Sequence, residues 1–403
     1  MCKLTDKKSI KTMTFLLTVT YMVSYVTRLN FGAILPEMVE QTGMTKGMLS
    51  AAVTGSAVTY GLGQLLSGYL GDRVSPKRLV LAGLLVTGGM NFLILFCSGH
   101  MQMTAVWCVN GLAQAFLWPP MVRLMVRLFS DSDYKRTATM VSLGGSFGTI
   151  VVYLGAPLLI MLSGWRAVFA AAAAVGVVMA VFWQKCCHES EYAGEEQKQE
   201  DVSSGKKASV LAIWPLVLLV MLCIVLQGAL RDGVTTWMPS YISETYKLGS
   251  EISILTGVAL PIFSVVGVKC AGSLYQKAFR NPLTCAGLIF GAGACFALAL
   301  TFVSGRSTAG SVACSAVLTG CMYGANLMLV SMVPPFFQKY GKISTVSGLL
   351  NCCAYVGSAV STYGIALLSE RAGWTATVFV WFVAALAGTA LCFLAAHIWK
   401  KKI

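Results

Sequence analysis

Apolar residues in this 403-residue chain fall into about a dozen blocks, each long enough to cross the ~30 Å hydrocarbon layer of a bilayer. No other feature constrains the fold as tightly. In hydrocarbon every backbone N–H and C=O needs a protein partner, and a helix supplies one within a single segment. The expected fold is therefore an all-α membrane protein with twelve transmembrane helices. The spans lie near 11–36, 47–71, 79–98, 101–125, 137–162, 165–184, 209–238, 251–275, 282–303, 308–334, 344–368 and 373–397. Charged residues make up only 11% of the chain, against roughly a quarter in a soluble domain.

The formal net charge of +14 would suit a nucleic-acid binder, but its distribution points elsewhere. Of the 30 Lys and Arg residues, 22 fall in the termini and loops on one side of the predicted membrane and five on the other. Such a bias orients a polytopic protein with its basic side, here carrying both termini, in the cytoplasm. The expected setting is thus a cell membrane, with the lipid bilayer as a partner and no nucleic acid. The fourteen cysteines lie mostly inside spans, where cysteine behaves as a small apolar residue. Neighbouring Cys186, Cys187 and His188 lack a fourth ligand, so no metal is expected there. The first apolar block is full length and shows no convincing cleavage site.

Residues 186–208 interrupt the pattern with mixed charge, Ser and Gly, and read as a cytoplasmic linker between two six-helix bundles, 1–185 and 209–403. The two halves carry an internal repeat. Arg28 and Pro36 match Arg231 and Pro239 at an offset of 203, and Gly68–Arg73 matches Gly272–Lys277 at 204. Gly164-Trp165 matches Gly373-Trp374 at 209, and Trp118-Pro119-Pro120 corresponds to Val333-Pro334-Pro335. This is the pattern of a carrier built from two related bundles.

Three cations fall within spans: Arg28, Arg231 and Lys269. An arginine in hydrocarbon cannot escape by deprotonating, so a buried pair at repeat-equivalent positions points to an anion-binding site. Tyr21, Tyr25 and Arg28 share one helix face by their spacing of four and three. Lys269 reads as a snorkelling residue near a span end. Trp118-Pro119-Pro120 reads as a kink, and Asn110, Gln114 and Asn326 as interhelical hydrogen-bonding groups.

The loop Gly68-Tyr-Leu-Gly71-Asp72-Arg73-Val-Ser-Pro-Lys77-Arg78, placed between spans two and three, resembles the signature loop of the major facilitator superfamily. That resemblance implies a major-facilitator-type fold, with Gly68, Asp72, Arg73, Lys77 and Arg78 bracing one conformational state through neighbouring helix ends. Within the superfamily, Tyr21, Tyr25, Arg28, Asn30-Phe31, Pro36, Tyr60-Gly61, Trp118-Pro119-Pro120, Arg231, Trp237 and Pro239 are similar to the organophosphate:phosphate antiporters. This implies exchange of a sugar phosphate or glycerol phosphate for inorganic phosphate in a bacterial inner membrane. The substrate would be held by Arg28, Arg231, Tyr25, Tyr21, Tyr60 and Gln64, in a monomer that alternates access by a rocker-switch motion.

The chain departs from those carriers at Gln64, where they usually carry lysine, and near Gly148, where the glycerol-phosphate type has histidine. The string Tyr60-Gly-Leu-Gly-Gln64 is instead similar to proton-coupled symporters of sugar acids, and that alternative would use Asp232 as the coupling carboxylate. A transporter-like membrane sensor is a second alternative. No nucleotide-binding loop or catalytic constellation is present in the sequence, so neither enzyme activity nor a cofactor is expected.

Overall fold

A computed structural model describes residues 3–187, 214–247 and 259–402. It divides into two compact units, Met1–Ala208 with Phe337–Leu349 and Ser209–Phe336 with Leu350–Ile403. The first unit holds α1 (Lys7–Ala33), α2 (Leu35–Thr42), α3 (Lys46–Gly71), α4 (Pro76–Ile94), α5 (His100–Ala115), α6 (Trp118–Leu128), α7 (Asp131–Ser163) and α8 (Trp165–Cys186). The second holds α9 (Trp214–Tyr246), α10 (Ala259–Ala278), α11 (Pro282–Val303), α12 (Thr308–Asn326) and most of α13 (Ile343–Lys402). The predicted linker lies mostly outside the described residues.

Proline decides where the predicted spans break. Because proline lacks an N–H and clashes with the preceding turn, a helix tends to end before it or restart on it. The first span stops at Ala33 and restarts as α2 with Pro36 in its first turn. The fourth divides at Phe116-Leu117, and α6 begins on Trp118-Pro119-Pro120. The same device recurs in the second half. There α12 loosens into a π-helical stretch, Leu327–Met332, before a 3-10 turn on Pro334–Tyr340. Pro239 behaves differently and lies within a continuous α9. Among the described residues, seven helices are long and apolar enough to cross a membrane by themselves. The fourth predicted span falls short because its length is shared between α5 and α6, of 16 and 11 residues, whereas the proline-interrupted Thr308–Tyr340 is among the seven.

The Gly-Trp repeat marks a backbone requirement. Gly164 and Gly373 adopt φ 72°, ψ −177° and φ 76°, ψ 175°, a region that is essentially glycine-only. Gly164 ends α7 and starts α8, and Gly373 turns the long α13 at the last predicted span. The tryptophan after each glycine is an anchor. Trp165 is buried in an aromatic cluster with Phe31, Trp107 and Phe169, while Trp374 donates its indole N–H to Glu244 at 2.7 Å.

Helices approach closely through small residues, as expected where lipid provides no hydrophobic drive between them. In the second unit Gly320 of α12 lies so near α10 that a Cβ there would sit 2.7 Å from the Phe263 carbonyl oxygen. In the first unit Gly144 and Gly148 of α7 meet the backbone of α1 in the same manner. Large apolar side chains such as Phe15, Leu154 and Met161 are exposed on the outer faces. In water these would be a liability; in a bilayer they face lipid.

Candidate functional site

Arg28 lies on α1 with its guanidinium carbon 4.6 Å from the ring centre of Tyr25 and 4.5 Å from that of Tyr60 on α3. Two aromatic faces stabilise the cation without neutralising it. Tyr21 continues the aromatic run, 5.2 Å from Tyr25 edge-on and 4.9 Å from Trp118. Of the predicted contacts in this unit, the structure therefore groups Tyr21, Tyr25, Tyr60 and Arg28, and adds Trp118 as a packing partner.

Hydrogen bonds at the preceding residue fix the position of this arginine. The Thr27 carbonyl accepts from Asn91 Nδ2 of α4 at 3.0 Å and from Asn110 Nδ2 of α5 at 3.2 Å. Gln114 Nε2 donates to the Thr27 hydroxyl at 2.8 Å, and Asn30 Nδ2 donates to Asn91 Oδ1 at 2.8 Å. All five residues are buried, where each such bond is needed to offset desolvation. Asn110 and Gln114 are thus interhelical donors. Asn91, equally central, went unnoticed in the sequence, although a lone amide in an apolar span is a usable signal.

Gln64 has a different environment. It is 0% exposed, and neither polar atom of its side-chain amide has a hydrogen-bond partner. The segment 343–349 covers this turn of α3, with Gly348 against the Gln64 carbonyl and Gly68 against Ser344 and Thr345.

The signature loop is built around Asp72. Its Oδ1 and Oδ2 accept from the Ser344 and Thr345 backbone N–H groups, each at 2.8 Å, at the first turn of α13. A carboxylate on otherwise unsatisfied helix N-terminal donors is a favourable pairing of charge with dipole. Arg123 of α6 lies beside Asp72, with Nε 4.0 Å from Oδ1. Arg123 also donates to the Gly71 carbonyl at 2.6 Å, at the C-terminal end of α3. Arg73 instead bonds the Tyr69 carbonyl of its own helix at 3.1 Å, while Lys77 and Arg78 sit in the first turn of α4. Arg123 was legible in the sequence only as a cytoplasmic-side charge. Its role depends on α6 passing beneath α3, which spacing along the chain does not reveal.

Replacing Asp72 with Asn should release the 343–349 segment. Each hydrogen bond to a charged acceptor contributes about 1.5–3 kcal/mol, so losing one bond and the charge should raise amide exchange there about tenfold or more. Hydrogen exchange of a peptide covering residues 343–349 measures this directly. Unchanged protection would show that packing alone holds the segment.

In the second unit Arg231 of α9 is bound by its own neighbour. Asp232 accepts from Arg231 Nε at 2.6 Å and from Nη2 at 2.7 Å. Adjacent helical residues point about 100° apart, yet a long arginine stem can fold back across that angle. Tyr323 of α12 lies 5.8 Å from the guanidinium carbon. The helix is pinned one turn earlier, where Gln227 donates to the Met322 carbonyl at 3.0 Å and accepts from Asn326 at 3.1 Å. Each arginine therefore follows a buried polar clamp onto the helix that packs beside it. Lys269 is exposed on α10.

A polytopic helical bundle with half-buried arginines on repeat-related helices defines a membrane transporter. Residues 17–362 match the Major Facilitator Superfamily, and the chain belongs to that family. It is 24% identical over 385 residues to the membrane sensor protein UhpC of Salmonella typhimurium, covering 91% of this chain and 86% of that one. It is 22% identical over 388 residues to a probable hexose phosphate transport protein of Chlamydia muridarum, covering 88% and 84%. The crystal structure of the superfamily transporter FucP superposes with a TM-score of 0.73 at 13% identity, covering 97% of this chain and 99% of that one, which is a likeness of fold.

Proposed function

We propose that this chain is a secondary transporter of small organic anions. The favoured substrate class is an organophosphate, a sugar phosphate or glycerol phosphate, exchanged for inorganic phosphate. Arg28 and Arg231 bind the anion, and the two bundles alternate access by a rocker-switch motion. The protein acts as a monomer in a bacterial inner membrane with both termini in the cytoplasm. The observation that carries this reading is Arg28, a cation held between two tyrosine rings at a position repeated 203 residues later by Arg231. Arginine's planar fork suits phosphate oxygens, and the names of the relatives supply the substrate class. Neutralising the bound cations favours reorientation, so an exchange cycle follows: the loaded carrier moves and the empty one lags.

Proteoliposomes preloaded with inorganic phosphate provide the test. External glycerol phosphate or hexose phosphate should enter only when phosphate can leave. Uptake driven by an imposed proton gradient, with no need for internal phosphate, would instead favour the symporter reading, for which the Asp232 carboxylate beside Arg231 supplies a concrete coupling group. Tight binding with no uptake under either condition would move the protein into the sensor class, like its UhpC relative.

A further inference from the structure

Where the first turns of α13 seat on α3, the polar chemistry changes within a single helical turn. All of the residues involved belong to the first compact unit. At the end of α3 the polar groups are matched. Asp72 accepts from the Ser344 and Thr345 N–H groups, and the Ser344 hydroxyl donates to the Pro119 carbonyl at 2.9 Å. One turn deeper the matching stops. Gln64 and Ser67 on α3 and Ser347 on α13 are each 0% exposed. Neither the Gln64 amide atoms nor the two serine hydroxyl oxygens have a hydrogen-bond partner.

The fold is able to satisfy a buried amide, as Asn91 shows. Equally buried in the same unit, Asn91 donates to the Thr27 and Thr87 carbonyls and accepts from Asn30. Gln64 is treated differently. It sits on one stripe of α3 between Tyr60 and Gly68, four residues from each. The backbones there are close: a Cβ at Gly348 would lie 2.1 Å from the Gln64 carbonyl oxygen and 3.0 Å from the Gly68 Cα. A serine can turn its hydroxyl to a carbonyl one turn back, as Thr20 and Thr27 do on α1. Gln64 brings two N–H donors and a carbonyl acceptor, so its burial is the most costly of the three.

We infer that Gln64, flanked by Ser67, is a built-in release device: its unmatched amide makes the seat of residues 343–349 on α3 metastable, and Asp72 is the catch that holds them there. Burying an unmatched amide favours any arrangement in which water reaches it. The catch and the amide act in opposition on one short segment, which gives two arrangements close in free energy in place of one deep minimum. Tyr60, whose ring centre lies 4.5 Å from the Arg28 guanidinium carbon, is about 6 Å from Gln64 along the helix. Lifting residues 343–349 therefore brings water toward the flank of Arg28 from the Asp72 end of α3. The device operates whatever anion the protein carries.

The test follows amide hydrogen exchange of a peptide covering residues 343–349 in the purified full-length chain. Gln64→Met keeps the length of the side chain and removes its polar atoms. It should slow exchange there about tenfold and raise the thermal unfolding temperature. Asp72→Asn should speed exchange, and the two changes together should return it to within about threefold of the natural rate. Ser67→Ala should act in the same direction as Gln64→Met and by less. Unchanged or faster exchange in Gln64→Met overturns the inference, because an amide that is bonded in solution would hold the segment down. If Gln64→Met does not fold, the sign of the change in Ser67→Ala decides: slower exchange supports the inference, and unchanged or faster exchange overturns it.

Discussion

Substituting Arg28 with Lys should reduce phosphate-dependent counterflow by about two orders of magnitude, with a smaller loss for Arg231→Lys. The chemistry differs at the two positions. At Arg28 a planar guanidinium lies 4.6 and 4.5 Å from two tyrosine ring centres, a stacked cation whose fork matches the oxygens of an oxyanion. Lysine keeps the charge but loses the plane and the fork. A charge-assisted hydrogen bond contributes about 1.5–3 kcal/mol and a desolvated cation–π contact up to about 2 kcal/mol, so losing one of each removes about 3 kcal/mol or more, close to a hundredfold. At Arg231 a lysine would still reach Asp232 with one bond, and what disappears is the second oxyanion edge, closer to tenfold. The measurement is initial-rate uptake into phosphate-loaded proteoliposomes, with thermal unfolding showing that each variant folds. Full uptake by both variants would sink the proposal that these arginines bind the anion.

The sequence made the fold legible because the bilayer leaves few choices. Span length, helix as the spanning element and the bias of basic residues all follow from burying peptide groups in hydrocarbon. The Gly-Trp repeat was legible for a similar reason: at φ near +70° with extended ψ, other residues are strained, so the glycine announces its own turn. Details of the candidate site were less accessible. Pro36 and Pro239 occupy equivalent sequence positions, yet one opens a separate short helix and the other is absorbed within α9. Proline signals lost hydrogen bonding, but neighbouring elements decide whether the helix breaks or continues. An Arg231–Asp232 pair is legible in the sequence as an alternative to anion binding because the two are adjacent, and the angle between neighbouring helical residues that weighs against it constrains Cβ directions and not the ends of long side chains. Arg123 and Asn91 gained their roles from tertiary proximity alone.

Gly148 shows most clearly how packing changes the reading of a residue. In the sequence it falls near the position where the resemblance to glycerol-phosphate carriers implies a histidine. In the structure it is the point where α7 meets α1: a Cβ there would lie 2.5 Å from the Met22 carbonyl oxygen and 2.8 Å from the Tyr25 Cβ. Gly145 borders the same tyrosines, its Cβ position 2.9 Å from Tyr25 Cε2 and 3.1 Å from Tyr21 Cε1. Any side chain at 148 must push α1 away, because a backbone oxygen cannot rotate aside as a side chain can. Gly148→Val should therefore destabilise the protein by about 1–3 kcal/mol and weaken anion binding through displacement of Tyr25 and Arg28. Gly155 provides an internal control on the same helix, since a Cβ there meets nothing within 4 Å. Gly155→Ala should leave binding unchanged and stabilise α7 by about 0.5–1 kcal/mol, the usual gain from removing glycine's backbone entropy in a helix. Thermal stability of the two variants should move in opposite directions from a common baseline, and only Gly148→Val should lose anion affinity. If Gly148→Val keeps both, α1 and α7 can separate without disturbing the arginine, and the glycine contact does not position the site.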